Sequence, residues 1–309
     1  MINELFPGRR GPMTSSWMLV AGALFALMGA VAKLLSAQFS GAELAMYRSL
    51  FGLLAIGGFL LWRRETLRTP FWKGHFWRGA TGTVSLIAYF YAMTVLPLAT
   101  AITLNYTSPI WLTVLSAVLL KERFNGRLLA AIGLGFVGIV MLLRPAFASD
   151  QAIPGLIGLA SGFFAACAYI NVKKLGFAGE PGWRVVFYFS LAGTFGAALV
   201  QPFAGPFHPI NAGNIWLLLA MGFVATLAQL AMTRAYHSGN TLVVGAFAYS
   251  TVIFAALIGL FFFGEKLPLL AWLGMLVIIA SGLLAGLGNR DASATDATSN
   301  LPTLPAEED

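Results

Sequence analysis

The sequence predicts an all-α membrane protein with ten transmembrane helices arranged as two inverted five-helix repeats. Of its 309 residues, 58% are hydrophobic and 10% are charged, and the mean hydropathy is +0.80. Soluble domains carry about 25% charged residues. Apolar segments of spanning length recur along the chain, and short motifs of its first half return in the second. So few charges cannot cover a water-facing globule, and lipid is therefore the expected solvent.

Ten apolar segments are long enough for a bilayer crossing, which needs roughly 20 residues of helix. They lie at residues 15–37, 42–62, 77–96, 98–120, 128–144, 153–173, 184–203, 213–235, 241–263 and 268–288. The connections are short and often contain Gly or Pro, so consecutive helices should run antiparallel. We expect a cytoplasmic N-terminus (1–14), a first repeat (15–144), a second repeat (153–288) and a disordered cytoplasmic tail (289–309).

The basic residues predict the orientation. Cytoplasmic loops accumulate Lys and Arg, and most of the 19 basic residues fall on one side if the N-terminus is inside. Arg9, Arg10, Arg78, Lys173 and Arg184 belong to that set. We therefore expect a multi-pass protein of the cell inner membrane with both termini inside, and we assign the net charge of +7 to topology rather than to nucleic-acid binding.

The internal repeat is visible as matches at a nearly constant offset. Residues 106–108 (Tyr-Thr-Ser) match 249–251 (Tyr-Ser-Thr) at a spacing of 143, and Lys33 matches Lys174 at a spacing of 141. Five helices in each half would make the second half enter the membrane in the opposite direction. Inverted repeats of this kind are typical of carriers that alternate access to a site between their halves.

The sequence gives little indication of a metal site, a cofactor site or a disulfide. Cys167 is the single cysteine, which excludes an intrachain disulfide. Residues 133–138 spell GxGxxG, but they lie in a predicted membrane helix and not after a strand. We expect no cofactor and no metal, and we expect the partners to be a small-molecule substrate and the lipid bilayer, with the protein acting as a monomer.

The chain resembles the drug/metabolite transporter superfamily, and more narrowly its EamA-type members. The resemblance rests on the five-helix halves, on Lys33 in the first helix, on residues 43–48 (Glu-Leu-Ala-Met-Tyr-Arg) and on residues 97–101 (Pro-Leu-Ala-Thr-Ala). It rests also on the short polar turns that carry Glu122 and Glu265. The resemblance implies a ten-helix bundle around a cavity and a substrate drawn from amino acids, S-adenosylmethionine, riboflavin, purines and other organic molecules.

Polar residues inside membrane helices are costly and are default candidates for a site. The fourth helix holds the densest set, and we predict that Asn105, Tyr106, Ser108 and Trp111 bind substrate near the kink that Pro109 introduces. The alternative is a kink tolerated for packing, with the hydroxyls bonded to their own helix.

Three residues from other helices complete this predicted site. Tyr249 is the repeat mate of Tyr106, so the two phenols should approach one central cavity, where they could stack on a planar ligand. Gln229 and Tyr89 are predicted to add amide and hydroxyl contacts. Ordinary helix packing is the alternative for all three.

The charged residues of the first two helices are Lys33, Glu43 and Arg48. We predict that Arg48 faces the bundle and attracts an anionic substrate group, and that Glu43 reaches Lys33 in a pair that could carry charge or couple a proton. Snorkelling to the headgroups explains Lys33 equally well. Glu122 and Glu265 are expected to be structural.

The function that these patterns favour is secondary active transport of a small organic metabolite by alternating access, for example an amino acid derivative or another planar or zwitterionic compound. An intramembrane lipid-modifying enzyme is the first alternative, although the three histidines, His75, His208 and His237, are expected in different loops. A membrane interaction subunit without transport is the second. We expect no enzymatic activity.

Overall fold

The computed structural model describes residues 14–96, 98–119, 126–143, 152–262, 264 and 268–299. This part of the chain is helical and contains no strand. The helices are α1 (Trp17–Leu35), α2 (Gly41–Arg63), α3 (Trp72–Val95), α4 (Leu98–Asn105), α5 (Ser108–Leu119), α6 (Gly126–Leu143), α7 (Ala152–Phe177), α8 (Gly182–Ala204), α9 (Ile215–Ser238), α10 (Thr241–Ala248), α11 (Ser250–Phe262) and α12 (Leu269–Ser299).

Six stretches among the described residues are long and apolar enough to cross a membrane. They are Trp17–Leu35, Gly41–Arg63, Ala152–Phe177, Gly182–Ala204, Ile215–Ser238 and Thr241–Phe262. Large apolar side chains also stand exposed on the bundle, with Phe203 at 90%, Leu61 at 82% and Phe262 at 82%. Water would penalise such a surface, whereas lipid tails accept it, so the protein is a multi-pass membrane protein.

Two of the predicted spans are each broken into two helices. The fourth predicted segment is divided into α4 and α5 at Tyr106 and Thr107, and the ninth into α10 and α11 at Tyr249. Pro109, which has no N–H to donate, explains the first break. The second has no proline, and Tyr249 N–H donates instead to the carbonyl of Ala246 at 3.3 Å, three residues earlier.

The starts of α2 and α10 are fixed by side chains that accept the first free N–H groups. Ser40 and Glu43 form a capping box on α2, in which the Glu43 N–H donates to Ser40 Oγ at 3.1 Å and the Ser40 N–H donates to Glu43 Oε2 at 2.8 Å. Asn240 Oδ1 accepts from Leu242 and Val243 at the start of α10. These caps let consecutive helices turn back within a few residues.

The helix–helix contacts follow a two-fold pattern. If each of α1–α6 is replaced by its counterpart in α7–α12 (α1 by α7, α2 by α8 and so on), most contacting pairs become other contacting pairs. For example, α3 packs on α7 as α9 packs on α1, and α5 packs on α7 as α11 packs on α1. Likewise α3 packs on α8 as α9 packs on α2, while α2 packs on α8 and α6 on α12. The core therefore lies largely between the two sets of helices.

The structure differs from the sequence predictions at several boundaries. The third helix begins at Trp72 and not at residue 77, so Arg78 lies inside the bundle, only 2% exposed, rather than at the cytoplasmic end of a span. His75 and His237 lie in α3 and α9, and not in loops as predicted.

The C-terminal end also differs. Helix α12 extends to Ser299 and so covers residues 289–299 of the segment predicted to be disordered. Pro97, Glu122, Glu265 and residues 300–309 lie outside the described residues. The count of ten spans and the inverted arrangement stay predictions.

Candidate functional site

The two helix breaks bring Tyr106 and Tyr249 into one side-chain cluster. Tyr249 is fully buried, and Tyr106 packs against the same group of apolar residues, which includes Ile139 and Val252. A β-carbon at Gly135 of α6 would overlap the Tyr249 ring, so glycine leaves the space that the ring fills. The two tyrosines therefore share one packing cluster in the structure.

A glycine of a neighbouring helix lies directly against each break. A β-carbon at Gly162 of α7 would lie 2.9 Å from the Leu104 carbonyl oxygen and 3.0 Å from that of Asn105. A β-carbon at Gly22 of α1 would lie 2.9 Å from Ser250 Oγ and 2.9 Å from Thr251 Oγ1. Small residues allow this close approach of membrane helices, and each set of helices thereby holds the break of the other.

Two further tyrosines interact electrostatically with these phenols, and two arginines interact with one of those tyrosines. Tyr169 of α7 and Tyr236 of α9 stack with ring centroids 4.6 Å apart and planes 12° apart. Arg48 of α2 and Arg78 of α3 are 8% and 2% exposed, and both interact electrostatically with Tyr169 and with each other. Burial of two like charges in one place is costly unless something compensates them.

We call this group the central cluster. It consists of Arg48, Arg78, Tyr89, Tyr106, Tyr169, Tyr236 and Tyr249, which form a continuous electrostatic network. Its first four members come from the helices before residue 144 and the last three from those after residue 152. The cluster therefore lies where the two sets of helices meet, and side chains from both sets line it.

Many polar atoms of this region have no hydrogen-bond partner among the described residues. They are Nε and Nη1 of Arg78, the hydroxyls of Tyr236 and Tyr249, the indole nitrogen of Trp111 and the hydroxyl of Ser250. More than nine in ten buried polar groups in proteins are satisfied. Such a concentration of unsatisfied donors is what a site for a polar ligand presents.

Arg78 contacts an aromatic ring instead of a carboxylate. Its guanidinium carbon lies 4.0 Å from the centre of the Phe189 ring on α8. The ring supplies a cation–π contact, but it leaves Nε and Nη1 of Arg78 without a hydrogen-bond partner among the described residues. Sequence analysis missed Arg78, Tyr169 and Tyr236 as site residues, and the signal for Arg78 was hidden because hydropathy placed it at a helix boundary.

The other predicted site residues have varied surroundings. Asn105 Nδ2 donates to Ser161 Oγ of α7 at 3.0 Å, so its amide links helices. Gln229 Nε2 lies 3.5 Å from Thr233 Oγ1 of its own helix. Ser108 is buried, and the Trp111 ring meets Phe163 edge-on at 5.6 Å. Of the predicted set, Arg48, Tyr89, Tyr106 and Tyr249 are in the central cluster.

A second polar group, which we call the α2-end cluster, joins the start of α2 to the loop before α9. It consists of Ser40, Glu43, Gln201 and His208. The fully buried Glu43 carboxylate accepts from the His208 N–H at 2.7 Å and lies 2.8 Å from His208 Nδ1, while Ser40 Oγ donates to Gln201 Oε1 at 2.7 Å. Glu43 thus pairs with His208 and not with the exposed Lys33 that the sequence suggested.

The start of α8 carries the corresponding group, the α8-end cluster of His75, Glu180, Arg184 and His237. Glu180 Oε1 lies 2.9 Å from His75 Nε2 and accepts from Arg184 Nη1 at 2.9 Å. Arg184 Nη2 also donates to the Thr66 carbonyl at 2.9 Å. Burial raises the pKa of Glu180, but its bonds to His75 and Arg184 outweigh burial, so the pKa lies below the ordinary carboxyl value.

An open pocket of about 520 Å³ lies beside the α2-end cluster, lined by Ser36, Ala37, Gln38, Phe39, Ser40, His208, Pro209 and Asn211. It adjoins a place where loops of the two sets of helices meet, because Asn214 Nδ2 donates to Gln38 Oε1 at 3.1 Å. The described residues contain no group of three or more His, Cys, Asp or Glu side chains that could hold a metal ion.

A membrane bundle with two equivalent sets of helices and a polar cluster between them is the architecture of a solute carrier. The chain belongs to the EamA-like transporter family, whose model matches residues 13–144 and again residues 153–287. It is 30% identical to an uncharacterized transporter of Helicobacter pylori, over 88% of this chain and 94% of that protein.

Two further relatives have more specific names. The pseudopaline exporter CntI of Pseudomonas aeruginosa is 30% identical, over 85% of this chain and 92% of its own length. The riboflavin transporter of Vibrio cholerae is 30% identical, over 86% of this chain and 90% of its own length. A solved crystal structure that is 19% identical superposes with a TM-score of 0.78, over 90% of this chain and 99% of that chain, and it shares the fold. The chain is therefore a membrane transporter of small molecules and not an enzyme.

Proposed function

We propose that the protein is a secondary active transporter that carries a small organic metabolite across the inner membrane by alternating access, with the central cluster as its substrate site. The observation that carries this proposal is the group of unpartnered polar atoms between the two sets of helices. A transported molecule must be bound by groups that release it again, and donors already satisfied by the protein would contribute little to that binding.

The two end clusters have the positions of gates. Each joins a helix start of one set of helices to a segment of the other: Glu43 to His208, and Glu180 to His75. With the N-terminus inside, the α2-end cluster would close the outer mouth and the α8-end cluster the inner mouth. Rocking of the two halves would break one cluster while keeping the other.

The matching helix–helix contacts of the two sets of helices support this motion. The match of the family to residues 13–144 and again to 153–287 supports two inverted units of the same kind. The breaks at Tyr106 and Tyr249 would provide compliant points, because helices bend where their hydrogen-bond ladder is interrupted. Relatives named for pseudopaline and riboflavin support an organic molecule of moderate size as the substrate.

Cross-linking of the α2-end cluster in proteoliposomes tests the mechanism. Ser40→Cys and Gln201→Cys, introduced together into a Cys167→Ala background, place two thiols where the side chains now form a hydrogen bond. Counterflow is measured with a panel of amino acids, nucleosides, S-adenosylmethionine and riboflavin. We expect a short bifunctional thiol reagent to stop the counterflow of whichever compound the uncross-linked protein carries.

The two single-cysteine variants, treated with the same reagent, are the matched controls and should keep their transport. Tyr106→Ala and Tyr249→Ala should lose transport while remaining folded. Unchanged counterflow in the cross-linked double variant would contradict alternating access, and unchanged counterflow in both tyrosine variants would contradict the assignment of the site.

A further inference from the structure

The two central arginines differ from the paired arginine at the end of the bundle. Arg184 donates to Glu180 at 2.9 Å and to the Thr66 carbonyl at 2.9 Å. Arg48 and Arg78 are both buried, Tyr169 interacts electrostatically with each of them, and Arg48 acts on Arg78 as a like charge. A tyrosine phenol is neutral at pH 7, so it orients a cation without balancing its charge.

The carboxylates that the structure describes are engaged or distant. The described residues between positions 14 and 284 include three carboxylates, which are Glu43, Glu65 and Glu180. Glu43 binds His208, Glu180 binds His75 and Arg184, and Glu65 stands exposed in the loop between α2 and α3. None of the three faces the central pair, which therefore brings two positive charges into the bundle without a counter-ion from this part of the chain.

Flat rings stand beside these charges. The stacked pair of Tyr169 and Tyr236 and the Tyr106 phenol belong to the same electrostatic network as the arginines. Tyr106 and Tyr169 keep part of their surface accessible within the bundle. A ligand at this place would meet guanidinium donors at one side and aromatic faces at the other.

We propose that Arg48 and Arg78 bind an anionic group of the transported molecule, so that the substrate is an organic anion with a carboxylate or phosphate next to a planar part. This inference rests on the proposed function and names its substrate class. A guanidinium presents a rigid fork of donors that fits the two oxygens of either group. The anion would supply the missing counter-charge.

This arrangement also gives a reason why an empty carrier would not cycle freely. Without an anion, closing the bundle would enclose the mutually repelling charges of Arg48 and Arg78 in a medium of low dielectric constant. A bound anion cancels that repulsion and connects the arginines of the first set of helices to Tyr169 and Tyr236 of the second. Closure would thus be coupled to loading.

The test compares ligands that differ in charge alone, using the full-length protein in detergent at constant ionic strength. Benzoate and benzamide share a ring and differ in charge, and phenyl phosphate replaces the carboxylate by a phosphate. The readout is the thermal unfolding midpoint as a function of ligand concentration, because a ligand that binds the folded state raises it. We expect benzoate, phenyl phosphate or both to raise the midpoint and benzamide to leave it unchanged. The anion that raises the midpoint shows whether the site recognises a carboxylate, a phosphate or both.

Variants then assign the effect to residues. Arg48→Gln and Arg78→Gln should weaken anion binding at least about 30-fold, as the removal of one partner of a buried charge pair does. Arg78→Lys, which keeps the charge and loses the fork, should lie between wild type and Arg78→Gln. Arg68→Gln, the same change at an exposed arginine, is the matched control and should bind as wild type does.

Three results would overturn the proposal: benzamide acting as strongly as benzoate, no effect of either anion, or full anion binding in Arg78→Gln. Its failure is distinguishable from failure of the transport proposal. Counterflow confined to neutral compounds would refute the anionic class and leave transport intact. Anion binding that depends on Arg78 in a protein without any counterflow would do the reverse.

Discussion

The buried carboxylates at the ends of the bundle differ in their hydrogen bonding from the buried arginine and tyrosine at its centre. At the ends, Glu43 and Glu180 are enclosed and bonded to partners from distant parts of the chain. At the centre, Arg78 and Tyr249 are as deeply buried, yet their donors have no partner among the described residues. The protein thus compensates the burial of its two carboxylates at the ends, although His75 Nδ1 and Arg184 Nε have no partner there among the described residues, and it leaves the central guanidinium and phenol uncompensated.

This difference distinguishes polar side chains that stabilise the fold from polar side chains that are available to bind a ligand. Removing one member of a satisfied pair leaves the other buried and alone, which destabilises the fold. Removing a group that has no protein partner loses little stability but deletes part of the ligand site. The two regions should therefore respond to mutation in opposite ways, in stability and in transport.

The largest expected loss of stability follows from Glu180→Ala. It leaves His75 and Arg184, whose side chains are 2% and 11% exposed, without their shared acceptor. Breaking a buried pair costs about 3 kcal/mol or more, which should appear as a clear fall in the thermal unfolding midpoint in detergent. Glu65→Ala, in an exposed loop, is the control, and an equal midpoint for both variants would contradict the role of the α8-end cluster.

A smaller loss is expected when the contact at the helix break is crowded. Gly162→Ala places a methyl group 2.9 Å from the Leu104 carbonyl oxygen, and overpacking of this kind costs about 1–3 kcal/mol. Gly29→Ala is the matched control, because a β-carbon there meets no atom within 4 Å. The thermal midpoint of the first variant should fall and that of the second should stay, and a fall in both would show that the break is not the cause.

The smallest loss should come from Glu43→Gln at the α2-end cluster. The amide keeps one oxygen as an acceptor, and the His208 side chain is 46% exposed, so water can replace the lost partner. We expect a loss of about 1 kcal/mol, well below that of Glu180→Ala, in the same thermal assay. A loss of stability as large as that of Glu180→Ala would mean that the α2-end and α8-end clusters are equally rigid.

The sequence predicted the elements of this fold better than its contacts. Hydropathy located the apolar segments, and the repeat paired Tyr106 with Tyr249, which both lie in helix breaks and share one side-chain cluster. The apolar segments are a local property of the sequence, and the repeat is visible when the two halves of the sequence are compared. Neither requires knowledge of how the helices pack.

The partners of charged residues could not be predicted in this way. His75 and Glu180 are 105 positions apart, and Glu43 and His208 are 165 apart, so their pairing depends on how the helices pack. Arg78 was assigned to the cytoplasmic boundary of its helix because Trp72, Lys73 and His75 lower the hydropathy of the first turns of α3. Whether a cation at such a boundary faces solvent or the bundle is decided by helix rotation, which hydropathy does not record.

The most direct test of the account is to compare Arg78→Gln with Arg184→Gln, the same substitution at the centre and at one end. We measure the thermal unfolding midpoint of the purified, ligand-free protein. Arg184→Gln should lower it, because Glu180 loses a partner, whereas Arg78→Gln should leave it unchanged or raise it, because an uncompensated buried charge is removed. A fall in Arg78→Gln as large as that in Arg184→Gln would show that the central arginine is structural and would contradict the account.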